Sequence, residues 1–151
     1  MNCTPNEPPR TMTAAEIEKI LPHRYPFALV DKILDYTPGQ WARGVKCVTR
    51  TEPFFQGHFP GNPVMPGVIQ CEIMAQACAL LLGDRLLGNT AYYTSMDKIK
   101  FKNKIVPGDT IEVSARLNRR KEPFYFAHAE AKVDGRLCCE GELSFALMEG
   151  R

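Results

Sequence analysis

No stretch of this chain stays apolar for the roughly 20 residues that a membrane-spanning helix needs, so no membrane span is expected. The N-terminus lacks a basic segment followed by an apolar one, so no secretory signal is expected and the cytoplasm is the expected location. There is no C-x-x-C, and none of the three histidines stands at finger-like spacing from a cysteine, which argues against a metal site. The six cysteines are therefore expected to be free, buried thiols of a reducing compartment. No internal repeat or low-complexity block occurs, and 151 residues leave little room for a second core.

What is present fits one globular domain, with 44% hydrophobic against 24% charged residues. Residues 1–12, with Pro5, Pro8 and Pro9, read as a loose tail and 13–151 as the domain. The net charge of +2 is unevenly spread. Eight of the 19 basic residues lie between Lys98 and Lys121, where Asp109 and Glu112 are the only acids. A basic region on a mildly acidic body favours an acidic partner, and without a recognised reading motif nucleic acid is not expected. Lys98, Lys100, Lys102 and Lys104 read as one face of a strand, which a solvated sheet edge explains.

Thr13-Ala-Ala-Glu16 has capping-box spacing, so a helix is expected over Ala14 to Ile20, ended by the prolines of Leu21-Pro-His-Arg-Tyr-Pro-Phe27. Phe27 to Ile33 and Trp41 to Thr51 read as two strands. Val68 to Leu82 is apolar on nearly every side and rich in helix formers, the pattern of an enclosed helix. Four strands follow, with turns at Pro107-Gly108-Asp109 and Asp134-Gly135. A curved antiparallel sheet wrapped around the apolar helix would cover both.

Phe54-Phe-Gln-Gly-His58-Phe-Pro-Gly-Asn-Pro-Val-Met-Pro-Gly67 carries three prolines and three glycines, which fix an irregular loop around His58. Glu72 is the only charged residue between His58 and Asp84. A carboxyl in the middle of an enclosed apolar helix is costly unless paired or neutralised, which marks it for function. Desolvation should raise its pKa and make it a proton donor, with His58 as a base. The loop also ends at a helix N-terminus, whose N–H groups can hold a developing oxyanion. The residues alone leave hydrolase, hydratase and isomerase open.

Three segments carry more. Leu21-Pro-His-Arg-Tyr-Pro-Phe27, Glu52-Pro-Phe-Phe-Gln-Gly-His-Phe-Pro-Gly61 and Pro63-Val-Met-Pro-Gly-Val68, with Glu72-x-Met-Ala-Gln76, resemble the β-hydroxyacyl-acyl-carrier-protein dehydratases of the FabZ type, from about Leu21 to Leu147. The resemblance implies an α+β hot-dog fold, a homodimer assembling into a hexamer of three dimers, and no cofactor. It implies dehydration of (3R)-hydroxyacyl carrier protein to the trans-2-enoyl form in fatty acid biosynthesis. His58 would take the α-proton or orient the thioester-linked substrate, and Glu72 of the other subunit would protonate the leaving hydroxyl. The Gly67 N–H would bind the thioester oxygen, the Val64 carbonyl would orient His58, and Tyr92, followed by Tyr93, would line the acyl tunnel mouth. Acyl carrier protein becomes the acidic partner, docked by Arg116, Arg119, Arg120 and Lys121.

Related dehydratase-isomerases carry Asp in place of Glu72, so plain dehydration is favoured. Asn62 stands where many members have histidine. A thioesterase on the same fold and a non-catalytic acyl-binding module are the alternatives. His23 is expected to be structural in its turn and His128 to be exposed on a polar strand face.

Overall fold

The computed structural model describes residues 8–150. Within them run β1 (Arg10–Met12), α1 (Ala14–Ile20), β2 (Lys32–Thr37), β3 (Trp41–Cys47), α2 (Gly67–Leu80), β4 (Asn89–Phe101), β5 (Thr110–Lys121), β6 (Phe124–Val133) and β7 (Arg136–Glu149). Short 3-10 turns lie at Pro53–Gln56 and Gly83–Leu86. The strands form one seven-stranded antiparallel sheet in the order β1-β2-β3-β5-β6-β7-β4.

The sheet curls around α2 because both sides need the burial. Ile73, Met74, Ala77, Cys78 and Leu80 of α2 are all fully buried. The facing residues on the sheet are short: Ala115 on β5, and Ala127, Ala129 and Ala131 on β6, alternate with outward polar side chains. Short side chains let the helix lie close to the strands without voids. α1 starts with the expected capping box, in which Thr13 N donates to Glu16 Oε2 at 2.7 Å and Glu16 N donates to Thr13 Oγ1 at 3.3 Å. The β6–β7 turn falls on Asp134 and Gly135, both at positive φ (50° and 76°), as a tight hairpin demands.

Several expected elements shift. The strand expected over Phe27 to Ile33 starts at Lys32. Ahead of it, the backbone is bonded to a helix side chain instead: Leu29 N donates to Gln76 Oε1 (2.9 Å), and Gln76 Nε2 donates to Phe27 O (2.8 Å). The strand expected over Trp41 to Thr51 ends at Cys47, because Val48 bonds to the turn before β5 through Asp109 O (3.0 Å) and Gly108 N (2.9 Å). The tail expected over residues 1–12 gives way to structure at Arg10, where β1 pairs with β2 and buries Met12. Residues 1–7 lie outside the described range. Five described cysteines are free; Cys71, Cys78, Cys138 and Cys139 are buried as expected, and Cys47 is exposed.

The four lysines do not share one strand face. β4 begins at Asn89 and bulges between Asp97 and Lys100, with Lys98 at a φ of 53°. The bulge packs Ile99 against Gly141 of β7, where an added Cβ would collide with Ile99 Cδ1. Beyond Phe101 the strand has ended, so Lys102 and Lys104 lie off it.

Candidate active site

The loop that carries His58 is closed by its own backbone. His58 N donates to Phe54 O (3.1 Å) and Val64 N to His58 O (3.0 Å). Phe59 and Asn62 exchange bonds of 3.1 and 2.9 Å, and Met65 N donates to Ile105 O (2.8 Å). Lys46, only 5% exposed on β3, donates to Glu52 Oε1 at 2.5 Å and so ties down the turn that leads into the loop. His58 Nδ1 lies 2.6 Å from the Val64 carbonyl. A carbonyl only accepts, so Nδ1 carries the hydrogen and Nε2 keeps a basic lone pair. The ring stacks on Phe59 with centroids 3.9 Å apart.

Three residues after Val64 comes Gly67, the first residue of α2, with Pro66 as its cap. Its N–H has no intrahelical acceptor and stands at the positive end of the helix. A Cβ at Gly67 would meet the Phe101 ring at 2.9 Å, so any side chain there would have to displace that aromatic.

Glu72 lies further along α2, its side chain 12% exposed. Gln76 Nε2 donates to Oε1 (3.0 Å), His23 Nε2 is 3.3 Å from the same oxygen, and Tyr93 O–H donates to Oε2 (3.1 Å). The expectation that burial would lift this carboxyl is therefore overturned within the chain. Burial does push it up, but the hydrogen bonds from His23, Gln76 and Tyr93 outweigh burial and hold it below its ordinary value.

A pocket of about 250 Å³ opens beside Glu72. Glu72, Ala75 and Ala79 lie on one stripe of α2 and form one wall, faced by Ala91 of β4 and by Leu143 and Phe145 of β7. Phe145 is backed by Tyr125, stacked at 5.4 Å. The pocket is thus polar at the Glu72 end and apolar along the helix, the shape for an acyl tail that carries a polar head.

Tyr92 borders this pocket and is 59% exposed, but Tyr93 is the tyrosine that reaches Glu72. His23, expected to be structural, faces Glu72 from its turn. Sequence spacing held no sign of either contact, since each joins segments far apart in the chain. His128 is not exposed: its Nδ1 is 2.7 Å from Glu142 and its Nε2 3.3 Å from Glu130, on the sheet face turned away from α2. With Glu140 it makes a grouping of metal-ligand type, remote in kind from the His58 loop and already internally bonded. Arg116, Arg119, Arg120 and Lys121 all lie on β5 and are exposed. Arg119 covers the Phe126 ring at 4.2 Å, and Arg120 pairs with Glu122.

Within one chain, His58 and Glu72 share neither a hydrogen bond nor the pocket. No helix among the described residues is long and apolar enough to cross a membrane.

A sheet curled around one buried helix defines the hot-dog fold, and solved structures agree. The dehydratase heterocomplex ApeI:P of Xenorhabdus doucetiae matches with a TM-score of 0.75 at 19% identity, over 86% of this chain and 89% of that one. A variant of the fluoroacetyl-CoA-specific thioesterase FlK gives 0.62 at 17% identity, over 75% and 88%. Residues 21–142 match the family of FabA-like domains. The 3-hydroxyacyl-(acyl-carrier-protein) dehydratase FabZ of Oenococcus oeni is 49% identical over 138 residues, 90% of this chain and 99% of its own length. That of Caldicellulosiruptor bescii is 49% identical over 134 residues, covering 87% and 96%. The chain belongs to the FabA-like family, on its FabZ branch of 3-hydroxyacyl-(acyl-carrier-protein) dehydratases.

Proposed function

We propose that this protein dehydrates (3R)-hydroxyacyl carrier protein to the trans-2-enoyl form in fatty acid biosynthesis, at a site that His58 of one protomer and Glu72 of another complete together. The observation that carries this reading is the divided pair. His58 has its basic nitrogen prepared by Val64, Glu72 heads an acyl-shaped pocket, and the single chain does not join them. β4 is a sheet edge exposed over most of its length, with Tyr92, Tyr93, Met96 and Phe101 on it, and such an edge invites a second copy. Val68 and Phe59, next to the His58 loop, are also exposed apolar residues.

In this reading, the Gly67 N–H holds the thioester oxygen and stabilises the enolate that forms when His58 Nε2 takes the α-proton. Glu72 then gives its proton to the β-hydroxyl, which leaves as water. Three dimers forming a hexamer, a cytoplasmic setting, and docking of acyl carrier protein on Arg116, Arg119, Arg120 and Lys121 complete the proposal. Arg120 is partly engaged by Glu122, which leaves Arg116, Arg119 and Lys121 as the stronger anchors. The direct test is the appearance of enoyl absorbance from a hydroxyacyl carrier-protein thioester. Release of free thiol without enoyl product would instead select a thioesterase.

The pocket also makes a prediction about chain length. From Glu72 to Ala79 the helix rises about 10 Å, room for an extended tail of about eight carbons beyond the β-carbon. Ala79→Leu should fill the far end. We expect kcat/KM for substrates longer than about ten carbons to fall at least about tenfold while a four-carbon substrate is unaffected. A uniform loss across a ladder of chain lengths would contradict this placement of the tail.

A further inference from the structure

We infer that Tyr93 is a positioning residue that keeps the exchangeable proton of Glu72 on Oε2 and lets it leave and return. The inference rests on the dehydration reading, in which Glu72 must alternate between acid and carboxylate.

The two oxygens of Glu72 have different neighbours. Oε1 meets donors: Gln76 Nε2 at 3.0 Å and His23 Nε2 at 3.3 Å. Gln76 is fixed in this orientation, because its other N–H donates to Phe27 O and its own oxygen accepts from Leu29 N. His23 Nδ1 is buried with no partner, and an orphaned lone pair costs less than an orphaned N–H, so the hydrogen sits on Nε2. A proton on Oε1 would face these donors with nothing to accept it.

Oε2 has a different partner. Among the described residues it bonds to Tyr93 alone, at 3.1 Å, and the same hydroxyl lies 3.3 Å from the Cys71 carbonyl. A phenol has one hydrogen to donate and lone pairs to accept with. When Glu72 is a carboxylate, Tyr93 donates to Oε2. When Oε2 is protonated it can donate to the Tyr93 oxygen, whose own hydrogen turns to Cys71 O. Either state is satisfied without moving a heavy atom. Burial and the neighbouring Glu72 charge both raise the Tyr93 phenol, so it stays a neutral donor throughout.

The proton balance closes. Oε2–H goes to the β-hydroxyl, the C–O bond breaks, and water leaves. Tyr93 turns back to the new carboxylate, His58 releases the α-proton to solvent, and Glu72 takes one proton back from solvent on Oε2, which restores the starting pair.

Among the described residues, the titratable groups around Glu72 are His23 from the turn after α1, Tyr92 and Tyr93 from β4, and Cys71 on α2 itself. The hydrogen bond from Cys139 draws the Cys71 thiol down to about 7. The active form for dehydration needs Glu72 protonated and His58 neutral. With Glu72 held low, the acid limb of the kcat/KM profile follows Glu72. Losing a donor to the carboxylate raises that group, so the limb moves to higher pH.

The experiment compares kcat/KM against pH for the full-length wild type and for Tyr93→Phe, Cys71→Ala and Glu72→Gln. Tyr93→Phe should move the acid limb up by about one unit, the size of one hydrogen bond to a charged group. Cys71→Ala should leave the limb in place. Difluorotyrosine at position 93, a stronger donor, should move it down, and this variant serves if the phenylalanine form does not fold. A limb unmoved by both changes at position 93, or one that moves with Cys71→Ala, overturns the inference. Activity retained in Glu72→Gln would sink the underlying dehydration reading instead, so the two failures are distinguishable.

Discussion

Purified Glu72→Gln and His58→Ala proteins should each lose about a thousandfold or more of the dehydration rate, yet recover activity when mixed. General acid–base groups contribute about 10² to 10⁴ each, so either loss alone silences a site. Random reassortment places half of the subunits in mixed dimers. In each of those, one site receives the intact His58 and the intact Glu72, while the other receives neither. Recovery should therefore approach about a quarter of the wild-type rate after the dimers have been allowed to exchange. An intrachain site predicts no recovery at any mixing ratio. The geometry makes this a sharp test, because Val64 holds His58 in the loop while His23, Gln76 and Tyr93 hold Glu72 beside a pocket that His58 does not line.

The largest effect on stability is expected at Lys46. Its ammonium is almost wholly enclosed and meets Glu52, whose side chain is 14% exposed. Lys46→Ala would leave an enclosed carboxylate without its counter-charge, a change that typically costs about 3–5 kcal/mol. For a chain of this length that lowers Tm by about 10 °C or more in a thermal melt. Replacing both partners, as Lys46→Met with Glu52→Leu, should recover most of the loss, since a well-packed apolar pair avoids the desolvation cost. If the single variant melts within about 2 °C of wild type, the pair contributes little and the loop is held by its backbone bonds alone.

Local chemistry made much of this legible in advance. The enclosed helix was readable because its residues are apolar on nearly every side, and its observed span, Gly67–Leu80, falls two residues short of the expected end at Leu82. The capping box at Thr13 and the Asp134-Gly135 hairpin depend on neighbours in sequence and appear as expected. The contact between His58 Nδ1 and the Val64 carbonyl, which the family resemblance implies, lies within one short loop and is present at 2.6 Å. Where tertiary contacts decide, the sequence is silent. Phe27 to Val30 looks like a strand but bonds to Gln76, 49 residues away in the case of Phe27. The lysine alternation looks like a single face, but the bulge at Lys98 turns it. Tyr93 and His23 meet Glu72 only once sheet and helix have closed, and their hydrogen bonds reverse the pKa direction that burial alone suggests.

If the bare edge of β4 is where a second copy docks, catalytic competence depends on protein concentration. The same strand carries Tyr93, which holds Glu72, and Phe101, whose ring packs against Gly67 at the start of α2. In the proposed assembly, a protomer that came apart from its neighbour would lose the opposing histidine and, at the same time, bare the strand that holds its own acid. Specific activity should fall on dilution more steeply than the loss of a partner residue alone would give, and protomers added back should restore it. Assembly would then act as the final step in building the catalyst, with idle single chains as its resting stock.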